Sequence, residues 1–142
     1  MTTAEARAAV VAEAVSFIGT KFHLAARIKG VGIDCAQFIL ACYAVADIAI
    51  DIHPGPCSKD WFLHHEDPRF IDPIRKIGRE VETPQPGDVV LFKIGQSWAH
   101  AAIVQQWPMV IHAKWNSGVQ YCDASQRELA ILPKLFFSPW EE

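Results

Sequence analysis

The chain changes its hydrophobic period at Pro84-Gln85-Pro86-Gly87-Asp88, and that change constrains the fold more than any other feature. Upstream of this turn signal, apolar residues recur at helical spacing; downstream, short β-prone runs are cut by turn residues. Thr2 with Glu5 three residues later makes a capping-box pattern, after which Val10, Val11, Ala14, Val15 and Ile18 line one helix face until Gly19 stops it. Asp34 with Gln37 is a second helix start, followed by Ala36, Ile39, Leu40 and Tyr43 at i, i+3, i+4 and i+7. Beyond the turn, 89–92, 99–106, 110–113, 119–122 and 135–140 read as strands, with Gly95, Pro108 and Gly118 between them. Short connections between such runs pair neighbours, so the expectation is a meander. Helices first and strands second predict an α+β fold, with N-terminal helices packed on an antiparallel sheet of about five strands. The stretch 20–33 reads as a loop, and 51–87 as an irregular insertion with at most short helices at 58–65 and 73–77.

A chain of 142 residues, 51% of them hydrophobic, has the material for one core, and 1–142 is expected to form a single domain. The net charge of −3 comes with scattered Lys and Arg, which argues against nucleic acid as a partner. Cys35, Cys42, Cys57 and Cys122 form no Cys-x-x-Cys pair, so reduced thiols are expected. Met1-Thr2-Thr3-Ala4-Glu5-Ala6-Arg7 does not read as the start of a signal peptide, and no apolar run approaches the ~20 residues of a membrane span.

The chemistry centres on Cys35, the first residue of the second expected helix. A thiol is nucleophilic only as thiolate, and unpaired N–H groups and the macrodipole at a helix start favour negative charge. His100 and His112 fall in successive strand-like runs, where they can be neighbours across a ladder, and Ala101 and Ala102 leave room for a helix to pack beside them. The proton bookkeeping assigns Cys35 as nucleophile, His100 as base and then acid, and His112 as the group that orients the His100 ring. A backbone N–H at the helix start supplies oxyanion stabilisation. The duller reading makes Cys35 a core residue and the histidines ordinary strand residues.

Gly19-Thr20-Lys21-Phe22, Gly30-Val31-Gly32-Ile33-Asp34-Cys35, Pro86-Gly87-Asp88-Val89-Val90-Leu91-Phe92, His100-Ala101-Ala102-Ile103-Val104 and Ile111-His112-Ala113, in this order, resemble the NlpC/P60 cysteine peptidases. Lys29-Gly30-Val31-Gly32 and the short His-Ala-Ala-Ile strand are most similar to the phage-associated cell wall peptidase branch. The resemblance implies a papain-like fold and hydrolysis of amide bonds in peptidoglycan stem peptides, often between D-glutamate and the diamino acid. It places the nucleophile on Cys35, the base on His100 and the third polar residue on His112. It also implies phage tail proteins as partners and action at the cell wall as a virion or tail component after cytoplasmic synthesis. Two positions depart from the family pattern: Phe22 stands where Tyr is common and Ala36 where Ser often follows the cysteine.

Trp98 and Trp115 lie close in sequence to the two histidines and are candidate walls of a substrate groove. Asp34 reads as a helix cap and Asp88 as the anchor of its strand. His53, Cys57, His64 and His65 offer zinc-type ligands in no standard spacing, so neither a metal nor another cofactor is expected. Two other functions compete with hydrolysis. One is a tail or assembly protein that keeps the fold with little chemistry; the other is transfer of the acyl group to an acceptor other than water.

Overall fold

A computed structural model of the protein describes residues 1–52 and 67–141. The first helix, α1 (Thr3–Ser16), begins as its sequence dictates: the Thr2 hydroxyl accepts from the Glu5 N–H at 3.1 Å and the Glu5 carboxylate accepts from the Thr2 N–H at 3.0 Å. It ends two residues earlier than Ile18, and Val15 and Ile18 are exposed rather than buried. Val10 and Ala14 carry its contact with the core.

Residues 20–33 are more ordered than a loop. A two-stranded hairpin, β1 (Arg27–Ile28) and β2 (Gly32–Ile33), closes there, and Phe22 bridges Ile33 in parallel. This strap delivers the chain to α2 (Cys35–Ala44), whose cap is Asp34. One carboxylate oxygen of Asp34 accepts from the Gln37 N–H at 2.8 Å and the other from the Ala25 N–H at 2.6 Å. The same residue thus starts the helix and ties down the strap.

Within the stretch expected to be irregular, α3 (Ile71–Ile77) is followed by β3 (Arg79–Val81). The main strands then run β4 (Val89–Ile94), β5 (Ser97–Gln106), β6 (Met109–Lys114) and β7 (Gly118–Asp123), with a short α4 (Arg127–Ala130) before β8 (Lys134–Ser138). The sheet order is β3-β8-β4-β5-β6-β7, and every pair is antiparallel. The expected meander holds from β4 to β7. The last strand departs from it, returning to pair with β4 and leaving its own far edge to β3.

Alternation along the strands divides the apolar residues between two faces. Leu91, Ala101, Ile103, Ile111 and Ala113 meet α1 and α2, with Phe38, Ile39 and Tyr43 among the largest buried side chains. Phe92, Ala102, Val104 and Val110 form a second, smaller cluster closed by Leu129 of α4. The β6–β7 turn shows how tightly the strap is held. Gly118 has φ +80°, and a Cβ there would stand 2.3 Å from the Thr20 carbonyl oxygen, so only glycine fits. No helix among the described residues is long and apolar enough to cross a membrane.

Candidate active site

Cys35 is the first residue of α2, and α2 packs on β5 and β6, the strands that carry His100 and His112. The structure brings the two histidines together: His100 Nε2 and His112 Nδ1 are 2.7 Å apart, with ring centroids at 5.0 Å and planes at 70°. A hydrogen bond of that length needs one proton between the two nitrogens. His112 is buried, and its remaining ring nitrogen, Nε2, has no hydrogen-bond partner among the described residues. If His100 is to have a bare Nδ1, its proton must lie on Nε2 and be donated to His112, leaving His112 protonated on that unpartnered Nε2.

His100 pairs across the ladder with Phe92, and their rings lie 5.9 Å apart. Phe92 and Val110 belong to the second cluster, so regular alternation alone would set both imidazoles on the face away from α1 and α2. Cys35 is half-buried and packs against the helix-side cluster. No hydrogen bond joins its thiol to either ring. The β4–β5 register slips beside His100: Phe92 faces His100 while Lys93 faces Trp98, which makes Ala99 an extra residue. Such a bulge bends a strand and re-aims the side chains beside it.

Electrostatics correct one expectation. The helix start was expected to favour thiolate, yet burial pushes the Cys35 thiol up to about 12, and the neighbouring Asp34 charge adds to the rise. Hydrogen bonds from the Ala36 and Cys35 N–H groups act in the opposite sense and are outweighed. The terminal N–H groups of the helix do favour the anion, but less than removal from water disfavours it. Burial likewise lowers His100 to about 3 and His112 to about 4, assisted by the charges of the partner ring and Lys114 on His100 and of Lys114 on His112. At neutral pH the site therefore holds an uncharged thiol and two uncharged imidazoles.

The two tryptophans occupy separate clefts. Trp98 is half-buried beside a cleft lined by Arg75, Lys93, Gln96 and Ser97. Trp115 is 64% exposed, stacks edge-on to Phe22 at 5.3 Å, and lines a second cleft with Lys21, Asn116 and Ser117. Phe22 thus packs a ring where the family pattern commonly has a phenol. Cys42 lies in the core, and Cys122 is partly buried against the second cluster. His53, Cys57, His64 and His65 lie outside the described residues.

Asp88 does more than start β4. One of its oxygens accepts from the Gln85 N–H at 2.8 Å and the other from the Arg7 guanidinium at 2.7 Å. Arg7 also donates to the Pro86 carbonyl and the Ser138 hydroxyl and lies over the Trp140 ring. Arg7 escaped the sequence reading because a single arginine on an amphipathic helix carries no distinguishing pattern. Arg75 and Lys93 likewise stand in the sequence as single cations with no distinguishing pattern.

Two helices packed on an antiparallel sheet, a cysteine heading one helix and a histidine pair on the sheet define the papain-like class of α+β proteins. Within it, the chain belongs to the NlpC/P60 family, whose model matches residues 19–130. A Staphylococcus aureus protein described as similar to lipoprotein, NLP/P60 family, superposes with a TM-score of 0.67 at 20% identity, over 95% of this chain and 42% of that one. The NlpC/p60 domain of the peptidoglycan hydrolase SagA gives a TM-score of 0.65 at 21% identity, over 91% of this chain and 96% of that one. RipD of Mycobacterium tuberculosis, described as a non-catalytic NlpC/p60 domain protein adapted to peptidoglycan binding, gives 0.59 at 18% identity, over 94% of this chain and 96% of that one. The chain spans less than half the length of the Staphylococcus protein. No curated protein sequence matches it.

Proposed function

We propose that the protein is a cysteine peptidase that hydrolyses amide bonds in peptidoglycan stem peptides, of the D-glutamyl–diamino acid type, with Cys35 as nucleophile, His100 as base and His112 as the residue that orients it. The observation that carries this reading is the His100–His112 bond on the strands against which the Cys35 helix packs, in a chain of the NlpC/P60 family. Peptidoglycan as substrate is supported by the SagA domain, a peptidoglycan hydrolase of similar fold and extent. A phage-tail setting is supported by the Lys29-Gly30-Val31-Gly32 segment and the short strand after His100.

Because thiol and imidazole are both uncharged, the reaction starts with proton transfer rather than from a standing ion pair. His100 takes the thiol proton as the sulfur bonds to the carbonyl carbon. The imidazolium returns that proton to the leaving amine as the C–N bond breaks. Water, deprotonated by the same ring, then attacks the thioester; the acid leaves and the thiol is restored. Backbone N–H groups at the start of α2 face the developing oxyanion. The reaction requires the Cys35 thiol to reach His100 beside the β5 bulge, and Trp98 and Trp115 each line a separate cleft for the peptide.

A second reading is favoured by the raised thiol and its lack of a bond to either ring: a domain that binds peptidoglycan without cutting it, as described for RipD. Digestion of purified peptidoglycan separates the two. The peptidase reading expects release of new muropeptides by the wild type and none by a folded Cys35→Ala variant. Sedimentation with intact peptidoglycan and no release by the wild type supports the binding reading.

A further inference from the structure

The cleft beside Trp98 holds two cationic side chains, Arg75 and Lys93, that no carboxylate among the described residues pairs. Arg75 on α3 and Lys93 on β4 line it together with Gln96, Ser97 and Asp67. The Asp67 carboxylate is already engaged by Arg69, whose guanidinium is 2.9 Å away, and its backbone N–H donates to the Ser97 hydroxyl at 2.9 Å. The Arg75 and Lys93 side chains have no ion-pair or hydrogen-bond partner among the described residues. Among the described residues, the cleft therefore presents two unpaired positive side chains and, in Arg75, a planar fork suited to a carboxylate.

Its position ties it to the candidate site. Lys93 directly follows Phe92, the ladder partner of His100, and Trp98 precedes His100 by two residues. At a strand rise of ~3.3 Å per residue, the cleft begins roughly 7 Å along β5 from His100, about two residues of an extended peptide. Trp98 packs on the helix-side cluster, as does Cys35. The cleft and the thiol thus share one side of the sheet. The second cleft, at Trp115, is lined by one cation, Lys21, with aromatic and amide neighbours. The two clefts thus differ in charge.

We propose that Arg75 and Lys93 hold a carboxylate of the peptide substrate and so fix the direction in which the peptide lies across Cys35. This rests on the peptidoglycan reading above, because stem peptides carry carboxylates that neutral peptides lack. It assigns substrate polarity to α3 and the end of β4 rather than to the strap or to α2.

The test compares a stem tetrapeptide with the same peptide amidated at its carboxylates, on the wild type and on the Arg75→Gln/Lys93→Gln double variant. Arg75 is exposed and Lys93 half-buried, so the variant is expected to fold, with circular dichroism and thermal melting as the check. In the wild type, amidation should lower kcat/KM about tenfold, the scale of one charged hydrogen-bonded contact. The double variant should lose about the same factor on the carboxylate peptide and little on the amidated one. Equal kcat/KM for both peptides in the wild type overturns the proposal, as does an equal loss on both in the variant. If the wild type cuts neither peptide, calorimetric binding to the Cys35→Ala protein reads the same comparison. Carboxylate-dependent binding lost in the triple variant then upholds the cation site while the peptidase reading falls. Inorganic phosphate bound as tightly as the peptide overturns it, since that marks a general anion site.

Discussion

At the scale of single residues, burial outweighs the helix start at Cys35, and this sets how the thiol behaves with pH. A thiol held near 12 carries little thiolate at neutral pH, and its thiolate fraction grows tenfold per pH unit below that value. Alkylation of Cys35 by iodoacetamide, followed by peptide mass spectrometry, should be slower than that of a free cysteine at pH 7 and still rising at pH 9. A rate that levels off below pH 7 contradicts the assignment of a neutral thiol. The histidine pair makes a separate statement about stability. Both rings are held below their ordinary value of 6.5, at about 3 and about 4, so the unfolded chain binds more protons than the folded one between those limits. Stability is then fully present above about pH 6.5 and is lost as the pH falls through that window. Melting temperature measured from pH 7 to pH 4 should fall, and His112→Gln should flatten that fall relative to the wild type.

At the scale of elements, the Arg7–Asp88 pair adds a buried ionic tie between the first helix and the turn before β4, beside the apolar contacts of Val10 and Ala14. Its partners are 2.7 Å apart, with side chains only 9% and 1% exposed, and Asp88 also holds the turn before β4. Arg7→Ala leaves the Asp88 carboxylate buried without its cation, a change that costs roughly 3–5 kcal/mol. Urea denaturation should show that loss as a lower midpoint with an unchanged slope; a change below about 1 kcal/mol contradicts the role given to the pair. The elements with strong local signatures were legible in the sequence. Thr2 and Glu5 cap α1 as read, Asp34 and Gln37 start α2, and the strands from β4 to β8 fall where alternation put them. Placement that depends on distant partners was not legible. The run Arg79-Glu80-Val81 becomes a strand only because β8 offers it an edge, and β8 itself turns back to β4 because Phe137 completes the helix-side core. The β1–β2 hairpin has too few residues to show a period.

Over the whole molecule, sequence spacing was enough to identify the histidine pair, since strands joined by a short turn bring His100 and His112 to the same end of the sheet. It said nothing of the solvation of Cys35, which depends on how the helix-side cluster packs against it. Nor did it separate Arg75 and Lys93 from other surface cations. On the proposed function these scales meet in one sulfur, that of Cys35 at the start of α2, as the atom that bonds to the substrate. Intact-protein mass spectrometry after rapid acid quenching of the enzyme with stem peptide tests this most directly. The expected result is a mass increase equal to the acyl portion of the peptide, located on Cys35 in the wild type and absent from His100→Ala, which lacks the base that takes the thiol proton. Stem-peptide cleavage that proceeds at an undiminished rate in Cys35→Ala, with no adduct on the wild type, contradicts it.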